Sequence, residues 1–133
     1  MTIQEIFQTH PQPSSLNPET VVRCITECLE CEATCTICAD ACLAEPDVQE
    51  IVRCIRLCLD CADACTTTGR MAMRQTEANI GVLREFLSAC VAACGASADE
   101  CERHASHHEH CRLCGETCRR CEEACILLLS ATN

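Results

Sequence analysis

Cysteine is the residue in this chain with the most chemistry to offer, and its spacing is regular. Eighteen of the 133 residues are cysteine, about 14%. The first cluster is Cys24, Cys28, Cys31, Cys35, Cys38 and Cys42, with steps that alternate between four and three. The second is Cys54, Cys58, Cys61 and Cys65. The third is Cys90, Cys94 and Cys101, with Ser97 at the step between the last two. The fourth is Cys111, Cys114, Cys118, Cys121 and Cys125. Steps of three and four put every thiol of a cluster on one stripe of an α-helix. On a strand the same steps would scatter successive thiols to opposite faces. A line of thiolates is a soft donor set, suited to soft metal ions. Histidine adds borderline ligands. His104, His107, His108 and His110 crowd into one short stretch, while His10 stands alone in the N-terminal arm and reads as incidental.

The elements that must position these residues follow from the pattern. Asn17-Pro18-Glu19 reads as an N-cap, a proline at the first helical position and an acidic first turn. The first seam helix then runs over 18–44. Pro46 and Asp47 stop it and start a second, which runs to about 69 or a little beyond, with a continuation through Met71 and Met73 left open. The third covers 80–104 and the fourth 109–129, with the His-rich turn between them. Residues 1–17 form a polar arm with a short turn near Ile3 to Phe7, and residues 18–133 the bundle. Four helices with short connections predict an all-α, antiparallel up-down-up-down four-helix bundle with a Cys-lined core. The first helix would be about 40 Å long at 1.5 Å per residue.

Antiparallel order assigns the two ends. Val21, Thr68, Ile80, Leu83, Leu87 and Leu128 meet at one end and form an apolar plug. Cys42, Ile51, Cys54, Cys101, His104, His108 and Cys111 meet at the other and form a mouth, with His107 and His110 around it. His104 and His108 continue the seam and are favoured as metal ligands there. His110 is a third candidate beside Cys111, and His107 is the weakest.

Composition excludes several classes. A secreted disulfide scaffold calls for an export signal, and MTIQEIFQTHPQPSSLNPET has neither a basic nor an apolar segment of that kind. The thiols are therefore expected reduced, in the cytoplasm. No stretch reads as long and apolar enough to cross a bilayer. A net charge of −10 argues against nucleic acid and anionic membranes and favours solubility. With no Trp or Tyr and two Phe, the core must be filled by something other than aromatic rings.

Several chemistries compete for the thiols. Iron–sulfur clusters draw on loop motifs that are missing here. Zinc needs about four ligands per ion, so neighbouring sites would share sulfurs. A thiol redox enzyme needs one distinguished thiol, and only Cys111/Cys114 sits near a helix start. Cysteine as a mere substitute for leucine fills less volume and oxidises readily. Cu(I) fits best. Each ion takes two or three thiolates, and bridging sulfurs give about one ion per Cys. One thiolate per Cu(I) keeps a filled core near neutral, whereas unpaired buried charge is costly. Empty, the protonated thiols pack as small apolar groups. Zinc storage and thiol redox catalysis stay open as alternatives.

The sequence resembles the bacterial copper storage proteins over about residues 18–130. The resemblance rests on the Cys-x3-Cys-x2-Cys seam from Cys24, the seams at 54–65 and 111–125, and the His-rich turn at 104–110. It implies a four-helix bundle that takes Cu(I) through one open end, stores it along the core without turnover, and assembles as a homotetramer. Exported members carry a signal peptide and Met residues at the mouth. Here Met71 and Met73 lie nearer the plug and His occupies the mouth, so the chain resembles the cytosolic branch. That branch buffers copper away from vulnerable thiol and iron–sulfur targets. A copper chaperone or efflux protein fits as a partner. Leu29, Ile37, Leu59 and Leu113 lie off the seam and are candidates for an oligomer contact.

Overall fold

A computed structural model describes residues 2–12 and 14–133. A short helix, α1 (Ile3–Gln8), is followed by α2 (Pro18–Leu43), α3 (Val52–Met73), α4 (Ile80–Arg103) and α5 (Glu109–Ala131). Asn17 caps α2 as its sequence predicts: Oδ1 accepts from the Glu19 and Thr20 amides at 3.0 and 3.2 Å. Asn79 does the same for α4 through the Val82 amide. These caps satisfy amides that no helical carbonyl reaches. The link after α2 differs from the expected direct restart at Asp47. A 3-10 turn, Val48–Glu50, intervenes, and α3 begins only at Val52. The tight turn brings Ile51 into the core, where it is buried. At its other end α3 continues through Met71 and Met73.

The long helices pack side by side as α2 on α3, α3 on α4, α4 on α5 and α5 on α2. Thiol contacts give the direction. Along α2, Cys24, Cys28, Cys31 and Cys35 meet Cys125, Cys121, Cys118 and Cys114 of α5 in falling order. Along α3, Cys54, Cys61 and Cys65 meet Cys101, Cys94 and Cys90 of α4, also falling. Both pairs are antiparallel. Small residues set the spacing of the helices. A Cβ added to Gly69 of α3 would stand 3.1 Å from the Cys28 Cβ of α2, so a larger residue would push the two apart.

All 18 cysteines are free and buried. Val21, Ile25, Thr68, Leu83, Leu87 and Leu128 close one end of the thiol column. Ile80 packs against them from a half-buried position. Thr68 meets its own polar need there by donating to the Phe86 carbonyl at 3.2 Å. The arm lies over this end. Ile3 and Phe7 of α1 pack on the core cluster, and Ser14 and His10 bond to Gln75 and Thr76 in the α3–α4 link.

One sequence expectation needs correcting. By length and composition α4 is apolar enough to cross a membrane. Its stretch 86–98 carries no charged side chain, because leucine, valine, serine, alanine, cysteine and glycine fill the positions between Phe86 and Asp99. In the bundle its seam side (Leu87, Cys90, Cys94, Ser97 and Cys101) is buried.

Candidate metal centre

The seams converge because each helix has one face free of charge. On α2 the buried positions from Cys24 to Cys42 recur every three or four residues, while Glu30 and Asp40 between them are exposed. Neighbouring sulfurs stand 3.5–4.0 Å apart along the column, as in Cys35–Cys118 at 3.5 Å, Cys31–Cys61 at 3.7 Å and Cys90–Cys94 at 4.0 Å. Groups of four thiols gather with every sulfur within 4.8 Å of the others. Among them are Cys28/Cys90/Cys121/Cys125, Cys31/Cys35/Cys61/Cys118 and Cys38/Cys42/Cys54/Cys111. Such closeness lets one small ion touch two or three sulfurs, and one sulfur touch two ions.

The thiols differ in acidity because each bonds to the next. Hydrogen bonds from Cys38 and then Cys54 pull Cys111 down to about 2, against burial that acts the other way. Cys118 is pulled down to about 5, first by Cys114, and Cys24 to about 5, first by Cys125. Bonding to Cys101 pushes Cys114 well above the usual thiol range, and burial pushes Cys42 up to about 12. Each shift is shared with neighbouring sulfurs, so the column titrates as a set.

The mouth is organised around His110. Its Nδ1 faces the thiols of Cys38, Cys111 and Cys42 at 3.4, 3.6 and 4.0 Å. Its Nε2–H donates to Glu45 Oε2 at 2.8 Å. His108 turns away from the sulfurs. Its Nδ1 meets Glu45 and its Nε2 meets Asp47, both at 2.9 Å. Nε2–H donates to Asp47, and two carboxylates so close favour the charged form of the ring. The Asp47 bond accordingly raises His108 above its usual 6.5, and the same bond lowers Asp47 below 3.8. The two rings stack with centroids 5.4 Å apart. His104 bonds through Nε2 to Glu100 at 2.9 Å. His107 is exposed, and His10 lies at the plug.

The 18 predicted cysteines thus come together as one column, and of the three predicted histidines His110 is the one that faces them. His104 and His108 leave the seam phase because α4 ends at Arg103 and His108, the residue before α5, is extended (φ −134°, ψ 114°). Glu45, Asp47 and Glu100, which hold the three imidazoles, were not singled out in the sequence. The acidic pair flanking Pro46 at the mouth link was the available signal.

The donor set is soft, buried and charge-balanced for a monovalent soft ion, which fits copper. The model of the copper storage protein family matches residues 17–130. The chain belongs to the copper storage protein family. Solved structures agree. A copper storage protein of Streptomyces lividans, Ccsp, loaded with 10 copper equivalents, is 47% identical over 98% of this chain and 99% of its own, with a TM-score of 0.95. A single histidine-to-alanine mutant of Ccsp is 49% identical over 89% of this chain and 98% of its own, with a TM-score of 0.87. A cytosolic copper storage protein from S. lividans with five coppers is 53% identical over 84% and 93%, with a TM-score of 0.83. A comparison with curated proteins found no match. As in the family, the fold is a bundle of four long helices around a Cys-rich core, and the function is copper storage.

Proposed function

We propose that this chain stores and buffers Cu(I) in the cytosol, at about one ion per thiol, without catalysing a reaction. The observation that carries the reading is the unbroken burial of 18 free thiols in one column whose neighbouring sulfurs lie within bonding reach of a shared ion. Each Cu(I) displaces about one proton, so filling adds little net charge to the core. No thiol stands apart from the rest as a nucleophile would. In this reading residues 18–133 are the storing unit and residues 1–17 cover its sealed end. Copper enters at His110, whose Nδ1 is already aimed at three thiols. His104 and His108 join as ligands by swinging off Glu100, Glu45 and Asp47. A copper chaperone or efflux protein would exchange ions at this mouth. Leu29, Ile37, Leu59 and Leu113 are exposed on the single chain, which supports assembly into a homotetramer; sedimentation of the purified protein tests that.

The four-thiol groups also suit tetrahedral zinc, so both metals belong in the test. Anaerobic titration of the fully reduced protein against a competing chelator is expected to give tight uptake near 18 Cu(I) per chain. Protein must be quantified by thiol or amino-acid analysis, since the chain has no Trp or Tyr. Uptake of only a few Cu(I), or tight Zn(II) at about one per four thiols, would overturn the reading.

A further inference from the structure

The cysteine column is interrupted at one level. On α4 the seam runs Cys90, Cys94, Ser97 and Cys101, and the serine side chain is fully buried (0% exposed). Its Oγ accepts from Cys118 Sγ at 3.3 Å, donates to Cys58 Sγ at 3.8 Å and lies 4.0 Å from Cys35 Sγ. A hydroxyl is a hard ligand that does not replace a bridging thiolate for a soft ion. Around Ser97 the sulfurs therefore come from three helices alone, Cys35 of α2, Cys58 of α3 and Cys118 of α5.

Thiol contacts run up to this level from both sides. From the plug, thiol contacts of 4.0 Å or less connect Cys24 through Cys125, Cys28, Cys121 and Cys65 to Cys61, Cys31 and Cys35. From the mouth side, Cys54, Cys101, Cys58 and Cys114 connect in the same way. Cys35–Cys114 at 3.7 Å is a direct thiol contact across this level, and Cys114–Cys118 and Cys35–Cys58 also interact across it. Cys118 and Cys58 are also linked through the Ser97 hydroxyl.

We infer that Ser97 divides the store into two pools that exchange slowly. The mouth pool holds Cys38 and Cys42 from α2, Cys54 and Cys58 from α3, Cys101 from α4, and Cys111 and Cys114 from α5, beside His110. The deep pool holds the other eleven of the 18 cysteines. An ion leaving the deep pool crosses a level at which α4 offers a hydroxyl in place of a sulfur. The inference rests on the Cu(I) storage reading above.

The test is release from fully loaded protein into an excess of a Cu(I)-specific chelator, followed by the absorbance of the chelate. Wild type is expected to release in two phases with amplitudes near seven to eleven, the slow one about tenfold slower or more, which corresponds to about 1.4 kcal/mol in the barrier. Ser97→Cys restores the missing sulfur and is expected to merge the phases and add one Cu(I) to the capacity. Ser97→Ala supplies no sulfur and is expected to keep both phases, which separates a gap in the ladder from a mere change of side-chain size. Alkylation and peptide mapping after the fast phase should label Cys111 and Cys114 before Cys90 and Cys94. Two phases persisting in Ser97→Cys, or early label on Cys90 and Cys94, would overturn the partition. A wild type that loads fully but releases in one phase defeats the partition alone. A wild type that takes up few Cu(I) defeats the storage reading beneath it.

Discussion

Replacing Glu45 by alanine isolates what aims the mouth imidazole. Glu45 touches no thiol, yet its Oε2 takes the Nε2–H of His110 at 2.8 Å and meets Nδ1 of His108 at 2.9 Å. While that bond holds, the proton stays on Nε2 and Nδ1 keeps its lone pair facing Cys38, Cys42 and Cys111. Partners of this kind orient metal-binding imidazoles, and losing one typically costs about 10–100-fold in metal affinity, or about 1.4–2.7 kcal/mol. The His110 side chain keeps 25% of its exposure, so water replaces part of the lost bond and the lower half of that range is expected. Affinity for the first Cu(I) should therefore fall by about 10- to 30-fold, with a similar slowing of loading. Total capacity should not change, because the thiols remain. Glu45→Gln keeps an acceptor and should recover part of the loss. Chelator competition at one equivalent gives the affinity, stopped-flow loading gives the rate, and 15N NMR of the apo protein reports the His110 tautomer. If Glu45→Ala matches wild type in all three while His110→Ala slows loading, the carboxylate does not position the ring and the argument fails.

The pair His108–Asp47 gives a pH prediction. Its bond raises the His108 pKa above 6.5, so the stability it confers is full below pH 6.5 and lost as pH climbs through the raised value. It lowers Asp47 below 3.8, so that share is full above pH 3.8 and lost as pH falls through the lowered value. Apo thermal stability should be highest between these limits, and Asp47→Asn should flatten both edges; an NMR titration midpoint for wild-type His108 at or below 6.5 would contradict this. Leu128 is fully buried in the plug (0% exposed). Leu128→Ala should lower apo stability by about 2–5 kcal/mol in denaturant melts and leave copper capacity unchanged. A matching loss of capacity would mean that the plug does more than seal.

The column was legible in the sequence because its signal is periodic. Steps of three and four fix which face of a helix is buried, whatever the details of packing, and Cys24 through Cys125 all lie where that period puts them. The Asn17 cap was legible for a similar local reason. The mouth was less so, because helical phase carries no information past a helix end. His104 and His108 continue the seam on paper, but the backbone has left the helix by then, and His110 reaches the thiols from the first turn of α5. Glu45 and Asp47, which hold His110 and His108, come from the α2–α3 link, contacts that no local pattern encodes, whereas Glu100–His104 is an i,i+4 pair. α4 was misjudged for another reason: its polar seam residues are cysteines and a serine, which hydropathy scores as apolar or nearly neutral.

A core built of thiols has a consequence for how long a molecule survives. Cysteine fills less space than leucine, so the empty bundle is held mainly by its plug, its caps and its outer contacts. Every ion that bridges two helices binds the folded chain and stabilises it by mass action. Occupied molecules then open more rarely than empty ones, and proteolysis follows the opened fraction. Age and filling become coupled: in a cell short of copper the empty copies are degraded first, and when copper is plentiful the same synthesis rate sustains a larger population.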